Sequence, residues 1–295
     1  MSARILDGKS LAAELRAEIA ADAAAFRAAH GRAPGLGVIL VGDDPASRSY
    51  VTSKQKACAA AGIQSREIAL PATASQAEIL AAVRQLNEDE ATDGVLVQLP
   101  LPDSTMEADV LAAVDPAKDV DGFHALNIGR LVQGKPALAP CTPCGVLELL
   151  RRAGIPLAGA NVVVIGRSQI VGRPLSILLS QKGTDATVTL CHTRTRDLPQ
   201  HTRAADIVIV AAGRPNTLTA NMVKPGAVVV DVGVNRVPDA SRARGYRLVG
   251  DVDFAAVAAR ASAITPVPGG VGPLTVAMLL RNTLTAARAR LTLPS

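Results

Sequence analysis

Aromatic residues are scarce in this chain, which has no Trp, two Tyr and three Phe among 295 residues. A nucleic-acid reader needs clustered basic residues and often stacking platforms. Here 31 Lys and Arg stand scattered against 26 Asp and Glu, for a formal net charge of +5. Nucleic-acid binding is disfavoured, and the basic surplus suits either an anionic small molecule or a mildly basic surface without a role. Cysteine is also sparse: Cys58, Cys141, Cys144 and Cys191 are too few and too irregularly spaced for a disulfide scaffold, so reduced thiols are expected. No apolar run approaches the roughly 18 residues of a membrane helix, and the stretch 207–212 stops after six. The charged start MSARILDGKSLAAELR leads straight into a helical pattern without an apolar leader region, which sets the expectation of a cytoplasmic protein. The charge density is too modest for disorder, and the length suggests two domains at ~150 residues each.

What is present is an alternation of helices and apolar strands. Residues 8–29 read as an Ala-, Leu- and Glu-rich helix, and GLGVILVG (35–42) as a strand buried on both faces. A helix through Tyr50 and Lys54, a strand at 65–70, a helix opened by the capping box Ser75-x-x-Glu78, and a strand at 94–102 complete a first series. A second follows a loop-rich stretch (115–142) and a helix at 143–153. It comprises strands at 161–166, 187–192, 206–213 and 227–235, a helix from Pro174, the turn-dense TPVPGGVGPLT (265–275) and a last helix to about Arg290. The fold class is α/β, with parallel sheets covered on both faces.

In NVVVIGRSQIVGRP, Gly166 and Gly172 flank the turn between a buried strand and a helix, where free backbone N–H groups and the helix dipole suit a pyrophosphate. Ser168 stands where the dinucleotide fingerprint has its second glycine, so a plain strand-to-helix turn is the competing reading. About 20 residues on, where an NAD enzyme places an acid on the ribose, the chain has Thr193, Arg194, Thr195 and Arg196. With Arg167 and Ser168 these favour a 2′-phosphate and hence NADP; solvated loop arginines are the alternative at 194 and 196.

Tyr50 and Lys54 share a helix face one turn apart and form a pair able to move protons, or else an ordinary exposed face. Gln98 ends an apolar strand, so its amide either projects from the carboxyl edge of a sheet or lies satisfied inside. Asp119, Asp121 and His124 make a poor metal set, and a lone Asp121 carboxylate accepting hydrogen bonds from a heterocycle is the better reading. No metal is expected. Cys141 and Cys144 have C-x-x-C spacing without a second pair, so a helix start with incidental cysteines is favoured over redox exchange.

Taken together, VGDDPASRSYVTSKQKA (41–57), DGVLVQLPLP (93–102), KDVDGFH (118–124), PCTPCG (140–145), VVVIGRSQIVGRP (162–174), TVTLCHTRT (187–195), DVGVNR (231–236) and TPVPGGVGPLT (265–275) closely resemble the bifunctional methylenetetrahydrofolate dehydrogenase/cyclohydrolase family, in the family's order. The resemblance implies two α/β domains with a cleft between them. Residues 1–122 with 268–295 would form a folate-binding catalytic domain, 140–267 a Rossmann-type doubly wound NADP domain, and 123–139 a connecting segment. It implies a homodimer acting on a small-molecule folate. Lys54 would be the catalytic amine, Tyr50 would stack on the folate, Gln98 would hydrogen-bond the Lys54 amine, and Asp121 would anchor the pterin. Leu99, Pro268, Gly269 and Gly270 would also line the folate. Gly166, Arg167 and Ser168 would hold the NADP phosphates, Thr193 would lie near the 2′-phosphate, and Val234 would meet the cofactor through its backbone. Many relatives carry Ser at the position of Thr193, so the hydroxyl is kept, while Cys144 falls at a variable position of the family's motif. The implied reactions are oxidation of 5,10-methylenetetrahydrofolate and hydrolysis of the methenyl product to 10-formyltetrahydrofolate.

Overall fold

The computed structural model describes residues 3–136, 138–242 and 245–292. Its elements run β1 (Arg4–Ile5), α1 (Gly8–His30), β2 (Gly35–Val41), α2 (Pro45–Ala60), β3 (Gln64–Leu70), α3 (Gln76–Glu88), β4 (Gly94–Val97), α4 (Glu107–Ala112), α5 (Ala125–Val132) and α6 (Cys141–Arg152). They continue with β5 (Asn161–Ile165), α7 (Gly172–Ser180), β6 (Thr187–Cys191), α8 (Leu198–Ala204), β7 (Ile207–Val210), β8 (Val228–Asp231), β9 (Asn235–Pro238), β10 (Tyr246–Val249), α9 (Phe254–Ala258), β11 (Ala263–Ile264) and α10 (Val271–Thr292). The chain divides into two compact units. One holds Ala13–Cys141 and the described residues of 276–295; the other holds the described residues of 1–12 with Thr142–Thr275.

The first unit is built on a parallel three-stranded sheet in the order β3-β2-β4. Every residue of β2 and β4 is buried, which is why both read as unbroken apolar runs, whereas edge strand β3 is mostly exposed. Ile39, Val41, Val95 and Val97 pack with Ile79, Val83 and Leu86 of α3, each such side chain contributing roughly 1.5–3 kcal/mol when removed from water. A Cβ at Gly37 would lie 2.7 Å from a Leu86 methyl, so the glycine lets α3 approach the strand. The capping box is formed in full: Ser75 Oγ accepts from the Glu78 amide, and Glu78 accepts from the Ser75 amide at 2.7 Å. Fully buried Asp93 takes two hydrogen bonds from Arg32 (2.7 and 2.8 Å), one from Arg290 on α10 (3.0 Å) and one from the Gly35 amide. Asn282, also on α10, donates to the carbonyls of Val120 (2.8 Å) and Ala139 (2.9 Å).

The second unit carries a parallel six-stranded sheet in the order β1-β11-β8-β7-β5-β6 and an antiparallel β9–β10 pair. Val163, Ile165, Val208, Val210, Val229 and Ile264 of the sheet meet Leu218, Val223, Val252 and Val257 in its core.

The structure departs from the sequence-based expectation at several points. The strand expected at 94–102 ends at Val97: the Gln98 amide still donates to Ile39 O at 2.9 Å, then a cis Leu99–Pro100 bond interrupts the ladder, since proline has no N–H to give. The stretch 227–235 is strand β8, a turn through Gly233, and the start of β9. Residues 3–12 fall with the second unit, because β1 pairs with β11 and the Lys9 amide donates to Gly269 O at 2.9 Å. Residues 268–275 fall there too, and the boundary lies inside α10. Within 123–139, α5 falls in the first unit and is tied to it by Asn127, which donates to Pro116 O and Asp119 Oδ2, both at 2.9 Å.

Candidate active site

Both sheets share a local pattern. From β2 the chain passes through α2 to β3 on one side, then through α3 to β4 on the other; from β5 it passes through α7 to β6, then through α8 to β7. Each sheet therefore has a point where consecutive connections leave in opposite directions, and ligands of open α/β sheets bind outside the strand carboxyl ends at such points.

In the first unit this edge gathers Lys54, Gln98, Leu99 and Asp121. Asp44 opens α2 by accepting from the Ser47 amide at 2.8 Å, and Pro45 occupies the first turn. Lys54, partly buried on this helix, donates from Nζ to Gln98 Oε1 at 3.0 Å. Gln98 is held in that orientation because its Nε2 donates to Leu99 O at 2.6 Å, which makes Oε1 the acceptor facing the amine. Tyr50, one turn before Lys54, is 55% exposed and presents an open ring face. Cys58, one turn after, is fully buried, and burial pushes its thiol up to about 12 against the pull of the Lys54 charge. Asp121 sits in a turn organised by its neighbour: Asp119 accepts from the amides of Gly122 (3.1 Å) and His124 (2.8 Å) and from Asn127 (2.9 Å). Desolvation pushes Asp121 up to about 6; the Lys54 charge opposes this rise and the Asp119 charge adds to it. His124 caps α5 by accepting from the Leu126 amide at 3.1 Å. Among the described residues no group of three or more His, Cys, Asp or Glu is assembled to hold a metal.

In the second unit a cavity of about 510 Å³ opens at the carboxyl ends of β5, β6 and β7. Gly166, Arg167, Ser168 and Thr193 all line it. The two glycines are required by close approach: a Cβ on Gly166, whose φ is +116°, would strike Ala211 O, and one on Gly172 would strike Gly166 O. Ser168 Oγ accepts from the amides of Val171 (3.1 Å) and Gly172 (3.4 Å), bracing the entry to α7. A side chain in place of the fingerprint's second glycine thus braces the turn. Arg194, Arg196 and Val234 are exposed and lie outside the cavity lining. Pro268 follows a cis bond, and a Cβ on Gly270 would come within 2.5 Å of Pro266 O. His192, just past β6, and Arg214, just past β7, also line the cavity, yet neither was assigned a role from the sequence; Arg214 reaches it only because β7 returns beside β5. The donors suit a polyanionic ligand: two guanidinium groups and hydroxyls around a strand-to-helix turn whose two glycines admit no Cβ.

Sequence models of the tetrahydrofolate dehydrogenase/cyclohydrolase family match in two pieces, the catalytic domain over residues 6–121 and the NAD(P)-binding domain over residues 140–291. The chain is 55% identical to the bifunctional protein FolD of Treponema pallidum (strain Nichols) over 287 residues, 97% of this chain and 91% of that one. It is equally identical over the same length to the bifunctional protein FolD 1 of Myxococcus xanthus, where 98% of the relative is covered. Among solved structures, the bifunctional FolD enzyme of Campylobacter jejuni superposes with a TM-score of 0.92 at 47% identity, covering 98% of this chain and 100% of the other. The Trypanosoma brucei methylenetetrahydrofolate dehydrogenase-cyclohydrolase, complexed with NADP and an inhibitor, gives 0.94 at 42% identity, with 99% and 100% covered. The six-stranded parallel sheet with its cavity, the second parallel sheet with its lysine, and likeness along nearly the whole chain agree: this chain belongs to the tetrahydrofolate dehydrogenase/cyclohydrolase family.

Proposed function

We propose that the chain performs the family's two reactions through the residues described above. It is a bifunctional NADP-dependent enzyme that oxidises 5,10-methylenetetrahydrofolate to the methenyl compound and hydrolyses that product to 10-formyltetrahydrofolate. The observation that carries the assignment of roles is the Lys54–Gln98 hydrogen bond at the carboxyl edge of the first sheet.

Asp121 anchors the pterin by accepting from its N–H groups, and Tyr50 offers its exposed ring to the aromatic part of the folate. Leu99, adjoining Gln98, lines the same folate. In the second unit, the N–H groups of Arg167 and Ser168 and the Arg167 guanidinium would hold phosphates, and Thr193 would lie by the 2′-phosphate. NADP, when bound, would supply the acceptor for the hydride of the methylene bridge, so the protein's share of the oxidation is orientation. In the hydrolysis, water adds to the methenyl carbon and Lys54 Nζ takes up one proton from the added oxygen and delivers it to the ring nitrogen as the C–N bond opens, while the second proton of that oxygen leaves to solvent as the formyl C=O forms. Gln98 Oε1 engages one hydrogen of the amine and thereby aims the nitrogen. The protein acts as a cytoplasmic homodimer; among its described residues no helix is long and apolar enough to cross a membrane. Light scattering on the purified protein tests the dimer, and a monomer mass at micromolar concentration overturns it.

The direct test is spectrophotometric. Purified protein with 5,10-methylenetetrahydrofolate should reduce NADP, and without cofactor it should discharge the methenyl chromophore. Reduction without discharge removes the role given to Lys54, and neither activity overturns the reading as a whole.

A further inference from the structure

Asp251 has no role in the assignments above, yet it is a fully buried carboxylate. Its Oδ2 accepts from the backbone amides of Ala212 and Gly213, both at 2.7 Å, and its Oδ1 accepts from Asn235 Nδ2 at 2.8 Å. The first two amides belong to the loop after β7, whose Ala211, Ala212, Arg214, Asn216 and Thr217 line the cavity. Asn235 begins β9, immediately after Val234. A second buried carboxylate fixes the base of this arrangement: Asp231 accepts from the amides of Gly233, Asp251 and Val252, each at 2.9 Å. The room for the pair is made by glycines, since a Cβ on Gly233 would fall on the Asp251 carboxylate and one on Gly250 on that of Asp231.

We propose that Asp251 is a positioning residue for the dinucleotide site, its carboxylate clamping the loop after β7 to the start of β9 so that the cavity wall from Ala211 to Thr217 is set before the ligand arrives. The proposal rests on the reading of the Gly166–Thr193 cavity as the NADP site. A carboxylate is needed because all three of its partners are donors. An amide at the same place faces one of them with its own N–H, leaving a donor-to-donor contact in a buried spot. The tie from the loop to β9 is then lost, and the two must be ordered against each other at the expense of binding energy.

The chemistry supplies its own rescue. Asp251→Asn alone sets the new amide N–H against Asn235 Nδ2. The exchange Asp251→Asn with Asn235→Asp turns that contact back into a hydrogen bond while the residue 251 carbonyl oxygen still serves the Ala212 and Gly213 amides, giving up only the long 3.4 Å bond from Asn235 Nδ2 to Val249 O. Asp251→Asn should raise the KM for NADP about tenfold, roughly one lost buried hydrogen bond. The dehydrogenase kcat should move less than about threefold and the cofactor-independent hydrolysis less than about twofold. The exchange variant should recover most of the KM. An unchanged KM overturns the proposal. So does a loss that reduces hydrolysis and thermal stability in step and is not recovered by the exchange. Should Asp251→Asn fail to fold, Asn235→Ala decides, with about a threefold rise in KM expected and an unchanged KM contradicting the clamp. Arg167→Ala is the separate control on the underlying reading: if it leaves NADP binding intact, the cavity is not the NADP site, whatever Asp251 does.

Discussion

The carboxyl edges of β3-β2-β4 and β6-β5-β7 are built by the same sequence of turns, and the chain uses them in opposite ways. In the first, the helix entered from the central strand keeps its functional groups on side chains: Lys54 comes a full two turns into α2 and meets Gln98 from the neighbouring strand. In the second, the donors gather on and beside the turn between β5 and α7, where Arg167, Ser168, Thr193 and Arg214 line the cavity and no Cβ is tolerated at Gly166 or Gly172. On the proposed function, one edge moves protons and needs an amine of fixed direction; the other holds phosphates and needs a turn that a polyanion can approach closely. A shared topology therefore fixes where a ligand sits, while the first turn after the central strand fixes what kind of chemistry meets it.

The sharpest way to break this comparison is to remove the side chain on one edge and ask whether the other responds. Lys54→Met should lower hydrolysis of the methenyl compound by roughly 10²–10⁴-fold while the dissociation constant for NADP, measured by titration calorimetry, stays within about twofold; hydrolysis at the parental rate would show that the amine is not the proton carrier. On the opposite edge, Gly172→Ala should drive a methyl group into Gly166 O, costing on the order of 3 kcal/mol of stability in the second unit and abolishing NADP binding, with thermal unfolding and calorimetry as the measurements. Arg167→Ala should weaken NADP by ~2 kcal/mol, the scale of a lost charge-assisted hydrogen bond, but NAD by much less; equal losses for the two cofactors would place the guanidinium away from the 2′-phosphate.

The smallest effect concerns pH. The carboxyls of Asp121 and Asp231 are raised by burial to about 6 in the folded chain, above the ~3.9 of an unfolded aspartate. The folded state thus keeps protons that the unfolded state has released. The resulting cost is absent below about pH 4, grows through the window between, and is complete above about 6. Asp121→Asn should stabilise the protein by about 1–2 kcal/mol at pH 7.5 and leave it unchanged near pH 4, read as the difference in Tm. A stabilisation that is equal at both pH values would point to packing instead of ionisation. Asp231 is expected to respond differently to the same substitution, because an amide cannot accept all three of the backbone hydrogen bonds that its carboxylate takes.

Much of this was legible in the chain itself. Buried strands such as β2, β5, β7 and β8 announce themselves as unbroken apolar runs, because both faces of a parallel sheet are covered. The capping box of α3 and the glycine turn before α7 are local devices, and local chemistry is written in neighbouring residues. The motifs around Lys54, Gln98 and Asp121 could be found one at a time for the same reason. What the sequence could not order was anything that depends on which distant segments become neighbours. The two residues of β1 enter the six-stranded sheet only through β11, more than 250 positions away. Arg214 reaches the cavity because β7 returns beside β5, and Asp251 becomes a clamp only once the loop after β7 and the start of β9 close around it. Hydrogen bonds between remote segments leave no periodicity behind, so the residue types and local turns of this protein were set by its sequence; the Lys54–Gln98 pairing was reachable only through family resemblance, and the pairing of Asp251 with its three donors was decided by tertiary structure alone.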